Sequence, residues 1–274
     1  MTDRDYVLGT HDAEIERLGL QHRVWRARAL DVWQRAGIGE GQTVIDVGAG
    51  PGYAALDLAE IVGATGRVIA VERSRRFLDT LNVTARQRGF TNIATLEADV
   101  VETAFGEQVA DATWCRWVLS FVRNPDAVVA HLADALKSGG VAVFHEYLDY
   151  RSWRLAPRCV VFEHFVGEVI DSIRRGGGFV DSALALPKIL AEMGFEIIAI
   201  KPIIDVVPPS SAIWKWPASF AAVFLERLTS GGQLSPGDAQ ATRDALATAE
   251  VDSSSLMITP TVLEIIARKR QPPA

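Results

Sequence analysis

Val44-Ile45-Asp46-Val47 is a short β-branched run carrying one acid, and it breaks at once into Gly48-Ala49-Gly50-Pro51-Gly52. The run fits a buried strand. Three glycines in five residues mark a turn where the main chain takes positive φ or lies directly against a ligand. A helical stretch over 53–63 follows, then Gly66-Arg67-Val68-Ile69-Ala70-Val71-Glu72, a second apolar strand closing on a carboxylate. Strand, glycine turn, helix, strand and acid describe a crossover unit whose parallel strands present a nucleotide-type site at their carboxyl ends. A bare strand-to-helix turn accounts for the glycines alone, but not for the acids on either side of them.

The alternation continues. Strands are predicted near 42–47, 67–72, 92–97, 110–116 and 138–146, and helices over about 53–63, 75–88 and 125–137. Residues 11–37 carry helical spacing ahead of the first strand. After Glu146 the pattern changes to an aromatic segment over 147–182. A short helix near 183–193 leads to the strand Phe195–Ile200, two helical patterns fill 210–255, and a last strand spans 261–268. The divisions expected are a helical lid over 1–40, an α/β core over 41–146, a lid or substrate insert over 147–182, and the remainder of the core over 183–274.

Of the 274 residues, 49% are hydrophobic and 23% charged, with a net charge of −6. That balance opposes a nucleic-acid partner held by phosphate contacts and favours a small molecule. No apolar run reaches the roughly 20 residues that span a bilayer, and the polar opening is unlike a secretory signal, so a cytoplasmic protein is expected. Cys115 and Cys159 stand too far apart for metal-ligand spacing, and no metal is expected.

The loop discriminates among cofactors. A dinucleotide fingerprint asks for a small residue at its sixth position, and counting from Gly48 that position is Tyr53. Pro51 removes an N–H that a pyrophosphate would use. Asp46 would repel a phosphate but suits an ammonium or sulfonium. With these residues the stretch resembles the first motif of the class I S-adenosylmethionine-dependent methyltransferases, in their small-molecule branch, and the likeness runs over about 42–146.

The resemblance implies a Rossmann-like, seven-stranded, mostly parallel sheet with helices on both faces, an antiparallel last strand and helical lid inserts. It implies S-adenosylmethionine as cofactor, with S-adenosylhomocysteine as product. Asp46, Gly48, Ala49, Gly50 and Gly52 would hold the methionine half. Glu72 would take the ribose hydroxyls, with Arg73 beneath the adenine and Asp99 and Val100 at its edge. Arg116 and Trp117 would border the methionine, though both also read as packing or surface residues. The leading segment, with Tyr6, Gly9, Glu14, Arg17, Leu18 and Gln21, is similar to a lid helix in bacterial relatives, which places Tyr6 and Gln21 near the methionine carboxylate.

For the transfer itself His145 is the candidate general base, at the carboxyl end of the fifth strand where an acceptor would approach. A hydrogen-bonded polar residue at a strand end is the competing account. Trp153, His164, Phe165, Trp214 and Trp216 are candidates for an apolar acceptor pocket, or else core. His11, His22 and His131 fall on helical faces and are given no chemistry. Methylation of a small hydrophobic or aromatic metabolite, at oxygen ahead of carbon, is the expectation, in the manner of secondary metabolism. A cofactor-binding regulator without catalysis and a nicotinamide-dependent oxidoreductase are the alternatives. A homodimer or higher homo-oligomer is one expectation, since the leading helix could pack on its own domain or exchange with a neighbour.

Overall fold

The computed structural model describes residues 9–271, so Tyr6 lies outside the described residues. The chain begins with α1 (Asp12–Arg35), followed by β1 (Thr43–Val47), α2 (Tyr53–Val62), β2 (Arg67–Glu72), α3 (Arg75–Gln87) and β3 (Ile93–Glu97). Then come β4 (Ala110–Arg116), α4 (Pro125–Ala135), β5 (Leu136–Asp149), β6 (Arg154–Ala156), α5 (Val160–Arg175) and α6 (Ser182–Glu192). The last elements are β7 (Phe195–Ile203), β8 (Val206–Val207), α7 (Lys215–Ser230), α8 (Pro236–Val251), β9 (Leu256–Ile258) and β10 (Thr261–Lys269).

Seven strands form one sheet in the order β3-β2-β1-β4-β5-β10-β7. β10 runs antiparallel to both neighbours, and the other pairs are parallel. The order reverses between β1 and β4, which opens a crevice beyond the carboxyl ends of those two strands. This is the Rossmann-like sheet that the sequence implied, its last strand antiparallel.

Each face is covered because the strands are apolar on both sides. Leu56, Leu58 and Val62 of α2 join Val32 and Trp33 of α1 over one face, and Val128, Leu132, Leu186 and Leu190 of α4 and α6 cover the other. Helix starts follow their caps: the Ser74 hydroxyl accepts from Phe77 N–H at 3.3 Å, and Asn124, ahead of Pro125, accepts from Ala127 N–H at 3.1 Å. α1 is capped by His11, whose Nδ1 accepts from Glu14 N–H at 3.3 Å.

A cap built from α5, α7 and α8 lies over the end of the sheet, tied together by a three-stranded sheet in the order β6-β9-β8. Those strands are two or three residues long, too short to show alternation in sequence. The cap has its own core, in which Trp153, Phe162, Phe165, Trp214, Trp216 and Phe224 are sealed with Trp25 of α1. Each such indole withdraws roughly 150–250 Å² from water, an upper value of about 4–6 kcal/mol. α1 is therefore shared between the cores of sheet and cap.

The turn into α2 depends on one glycine. Gly52 has φ +86°, and a Cβ there would stand 2.3 Å from Cδ1 of the fully buried Leu81. Gly52→Ala should destabilise the fold by about 2–4 kcal/mol, through left-handed strain and overpacking together. Urea denaturation measures this, and a loss below about 0.5 kcal/mol would contradict it.

Candidate functional site

The glycine loop, α1 and the exits of β2, β3 and β4 enclose a cavity of about 650 Å³. Gly48 has φ +63°, and a Cβ on it would lie 2.5 Å from Cγ2 of Val118, so only glycine lets the loop close against the β4 exit. Glu72 ties the loop to the next helix by accepting from Gly50 N–H at 3.0 Å and Ser74 N–H at 2.9 Å. Burial raises its pKa against its backbone hydrogen bonds, and Glu72 lines the cavity.

Asp46 and Arg116 stand on the same wall. Burial pushes Asp46 up to about 7, with Arg116 opposing the rise and Glu72 adding to it. Burial lowers the Arg116 guanidinium to about 10, so it stays cationic at neutral pH. Asp46 Oδ2 and Arg116 Nη1 are both buried and, among the described residues, neither has a hydrogen-bond partner. Gln21 lines the cavity beside them. Its Oε1 accepts from Arg17 Nη1 at 3.0 Å, which leaves its NH₂ as the group it can offer a ligand. Asp99 also lines the cavity while capping the turn after β3, with Val101 N–H at 2.9 Å from its Oδ1. Ala49, Gly50, Arg73 and Val100 complete that side.

At the β4 exit Trp117 adopts φ +55°, a conformation non-glycine residues rarely take. Three bonds hold it there. Trp117 N–H donates to the His145 carbonyl at 2.9 Å, and Glu146 Oε1 accepts from Val118 N–H at 2.8 Å and Leu119 N–H at 3.0 Å. The Trp117 indole stacks between Tyr147 and Trp216, at 5.6 and 5.4 Å, and presents itself to the cavity. Glu146 itself is fully buried on the α6 side, where burial pushes it up to about 7.

Several expectations are corrected. His145 does not line the cavity. It is fully buried, its Nε2 bonds Glu264 at 3.0 Å, and Trp114 and Trp25 close over it edge-on. β10 and α1 cover the end of the strand that would otherwise face an acceptor, so His145 sits there as a buried, hydrogen-bonded residue. Trp153, Phe165, Trp214 and Trp216 are cap core, and His164 is exposed on α5; none lines the cavity. Gly52 shapes the turn without facing the cavity.

Other wall residues were not predicted as site residues. Leu18 and His22 of α1, Tyr53 of α2, and Phe121, Val122 and Arg123 after β4 all line the cavity. Leu18, Gln21, His22 and Trp25 share one helical stripe, a signal legible in sequence. Nothing in the sequence points to the partners that His22 finds.

Comparison with known proteins follows this geometry. Residues 44–140 match the family described as Methyltransferase domain. A 2-phytyl-1,4-naphtoquinone methyltransferase from Nostoc punctiforme is 34% identical over 128 residues, 46% of this chain and 54% of the relative. The chain spans about half the length of the curated relatives it matches. Among solved structures, the (4+2)-cyclase SpnF has a TM-score of 0.58 at 18% identity, covering 90% of this chain and 81% of that one. A geranyl diphosphate C-methyltransferase from Streptomyces coelicolor A3(2), in complex with Mg²⁺, geranyl diphosphate and S-adenosylhomocysteine, has a TM-score of 0.56 at 17% identity. It covers 91% of this chain and 80% of that one. At these identities the structural likeness is one of fold.

The sealed His145–Glu264 pair is expected to support folding and not chemistry. Burial pushes His145 down to about 4, so the fold accommodates the neutral imidazole. Its contribution is complete above the ordinary histidine value of 6.5 and is lost as pH falls from there towards about 4. His145→Gln should cost about 1–3 kcal/mol and leave S-adenosylhomocysteine affinity within about twofold. Thermal melts across that pH range, with calorimetry at pH 7.5, check both; a selective loss of binding would return His145 to the site.

Proposed function

We propose that this chain, whose residues 44–140 match the family described as Methyltransferase domain, is a class I S-adenosylmethionine-dependent methyltransferase that transfers a methyl group to a small, hydrophobic acceptor. One observation carries the cofactor assignment: Asp46 Oδ2 and Arg116 Nη1 are buried on one cavity wall, opposite in charge, and each without a partner among the described residues. An unsatisfied buried charge is costly. Two of opposite sign side by side fit a zwitterion, and the methionine half of the cofactor is an α-amino acid. Asp46 receives the ammonium, and Arg116 with the Gln21 amide receives the carboxylate. Glu72 takes the ribose hydroxyls, and Asp99 with Val100 borders the adenine.

S-adenosylmethionine supplies a methyl already activated by its sulfonium. The residues of this chain have to bind it, orient it and exclude water, and in-line positioning accounts for much of the rate. Trp117, Phe121 and Val122 form an apolar wall beyond the polar set, which supports a hydrophobic acceptor, as does similarity to a relative named for a naphthoquinone. With His145 sealed away from the cavity, positioning of the acceptor without a protein base is the reading that its lining supports, at oxygen or at carbon. A nicotinamide dinucleotide gains no support, since Pro51 removes a loop N–H, Tyr53 stands where the fingerprint needs a small residue, and Asp46 opposes a pyrophosphate.

Calorimetry should give S-adenosylhomocysteine binding and no NADPH binding, and turnover of radiolabelled S-adenosylmethionine over hydrophobic metabolites identifies the acceptor. Binding with no transfer to any acceptor would favour a regulator instead. The pH dependence has a definite sign. The ammonium requires the Asp46 carboxylate, so affinity is complete above about pH 7 and falls up to about tenfold per unit below it. Asp46→Asn should bind at least about thirtyfold more weakly at pH 8, with that slope removed; near-normal affinity would overturn the assignment.

A further inference from the structure

Behind Arg116 stands a pair of side chains that the cofactor reading does not use. Arg116 Nη2 lies 3.2 Å from Nδ1 of His22, and His22 Nε2 lies 3.1 Å from Oδ2 of Asp57 on α2. A guanidinium donates and never accepts. Nδ1 must therefore be the acceptor, and the ring proton sits on Nε2, directed at the Asp57 carboxylate. His22 and Asp57 are both buried, and the ring stacks on Tyr53 at 5.9 Å. Arg26 closes the far side by donating from Nε and Nη2 to the two oxygens of Asp57, at 2.7 and 3.2 Å.

The charges along this row do different things. Arg26 neutralises Asp57. Asp57 fixes the tautomer of His22. The neutral His22 then orients Arg116 without neutralising it, which a carboxylate in the same place would do. Trp114 and Trp117 flank the guanidinium at 5.7 and 5.1 Å from their ring centroids, so it is held from three sides while Nη1 keeps its capacity for an anion.

We propose that His22 and Asp57 are positioning residues for Arg116: the pair presents an uncharged acceptor that aims a fully cationic guanidinium at the carboxylate of the methyl donor. This rests on the reading that the amino-acid end of that donor lies between Asp46 and Arg116. It makes α1 part of the cofactor site, since His22 arrives on α1 and its anchor on α2.

The test compares S-adenosylmethionine with its decarboxylated form, which keeps the ammonium and sulfonium and lacks the carboxylate. His22→Phe retains a stacked ring without an acceptor, and His22→Asn restores an acceptor oxygen near the Nδ1 position. By calorimetry, His22→Phe should weaken S-adenosylmethionine by about tenfold to a hundredfold and decarboxylated S-adenosylmethionine by less than about twofold. His22→Asn should recover most of the loss. An equal loss for both ligands, or no loss for either, overturns the positioning role while leaving the cofactor reading intact. Failure of the wild-type chain to bind S-adenosylmethionine overturns both.

Discussion

Two opposite charges share the wall of one cavity without meeting, and much of the surrounding structure serves to keep them so. Asp46 is carried by β1 and Arg116 by β4, adjacent strands at the reversal of sheet order, and their side chains rise on the face that α1 covers. Left in water they would be solvated, and brought into contact they would neutralise each other. Burial without pairing leaves both with unspent electrostatic interaction, and a zwitterionic ligand can satisfy it.

Holding that arrangement takes several independent contacts. Glu72 keeps the glycine loop against β2, and Glu146 anchors the β4 exit from beneath, where it stabilises the left-handed turn at Trp117. His22 and the two indoles hold Arg116 from the other side. α1 brings Leu18, Gln21 and His22 to the wall and is itself fastened along its length. Tyr53 donates to the Ile15 carbonyl at 3.1 Å, Arg28 pairs with Asp205 at 2.7 Å, and Trp25 is sealed in the cap core. The cap acts on the site through these contacts: Trp216 stacks behind Trp117 and never reaches the cavity.

The strands and most helices of the core were legible because their periodicities are strong and their breaks are chemical, with glycine or proline at almost every boundary. The acidic positions on the cavity wall were legible for a related reason. Asp46, Glu72 and Asp99 lie at strand ends, where parallel topology leaves few directions for a side chain to take. The cap was harder. The short strands of the second sheet carry no distinct pattern, and although Phe162, Phe165, Val166, Val169, Ile170 and Ile173 recur at helical spacing in Val160–Arg175, aromatic richness describes a core as well as it does a pocket. Trp153 and Phe165 turned out to be the former.

By itself, the sequence determined the alternation of strands and helices in the core and a glycine loop that prefers a cationic amino-acid nucleoside over a pyrophosphate, since these follow from local periodicity and from residue types at strand ends. Only the tertiary structure decided where each histidine stands. Along the chain His145 is the better candidate and His22 is one more residue of a helical face, but β10 supplies Glu264 to the first and seals it, whereas α2 supplies Asp57 to the second beside the open cavity. Those partners are 119 and 35 residues away. A side chain's chemistry depends on such neighbours, and they become neighbours only when the chain folds.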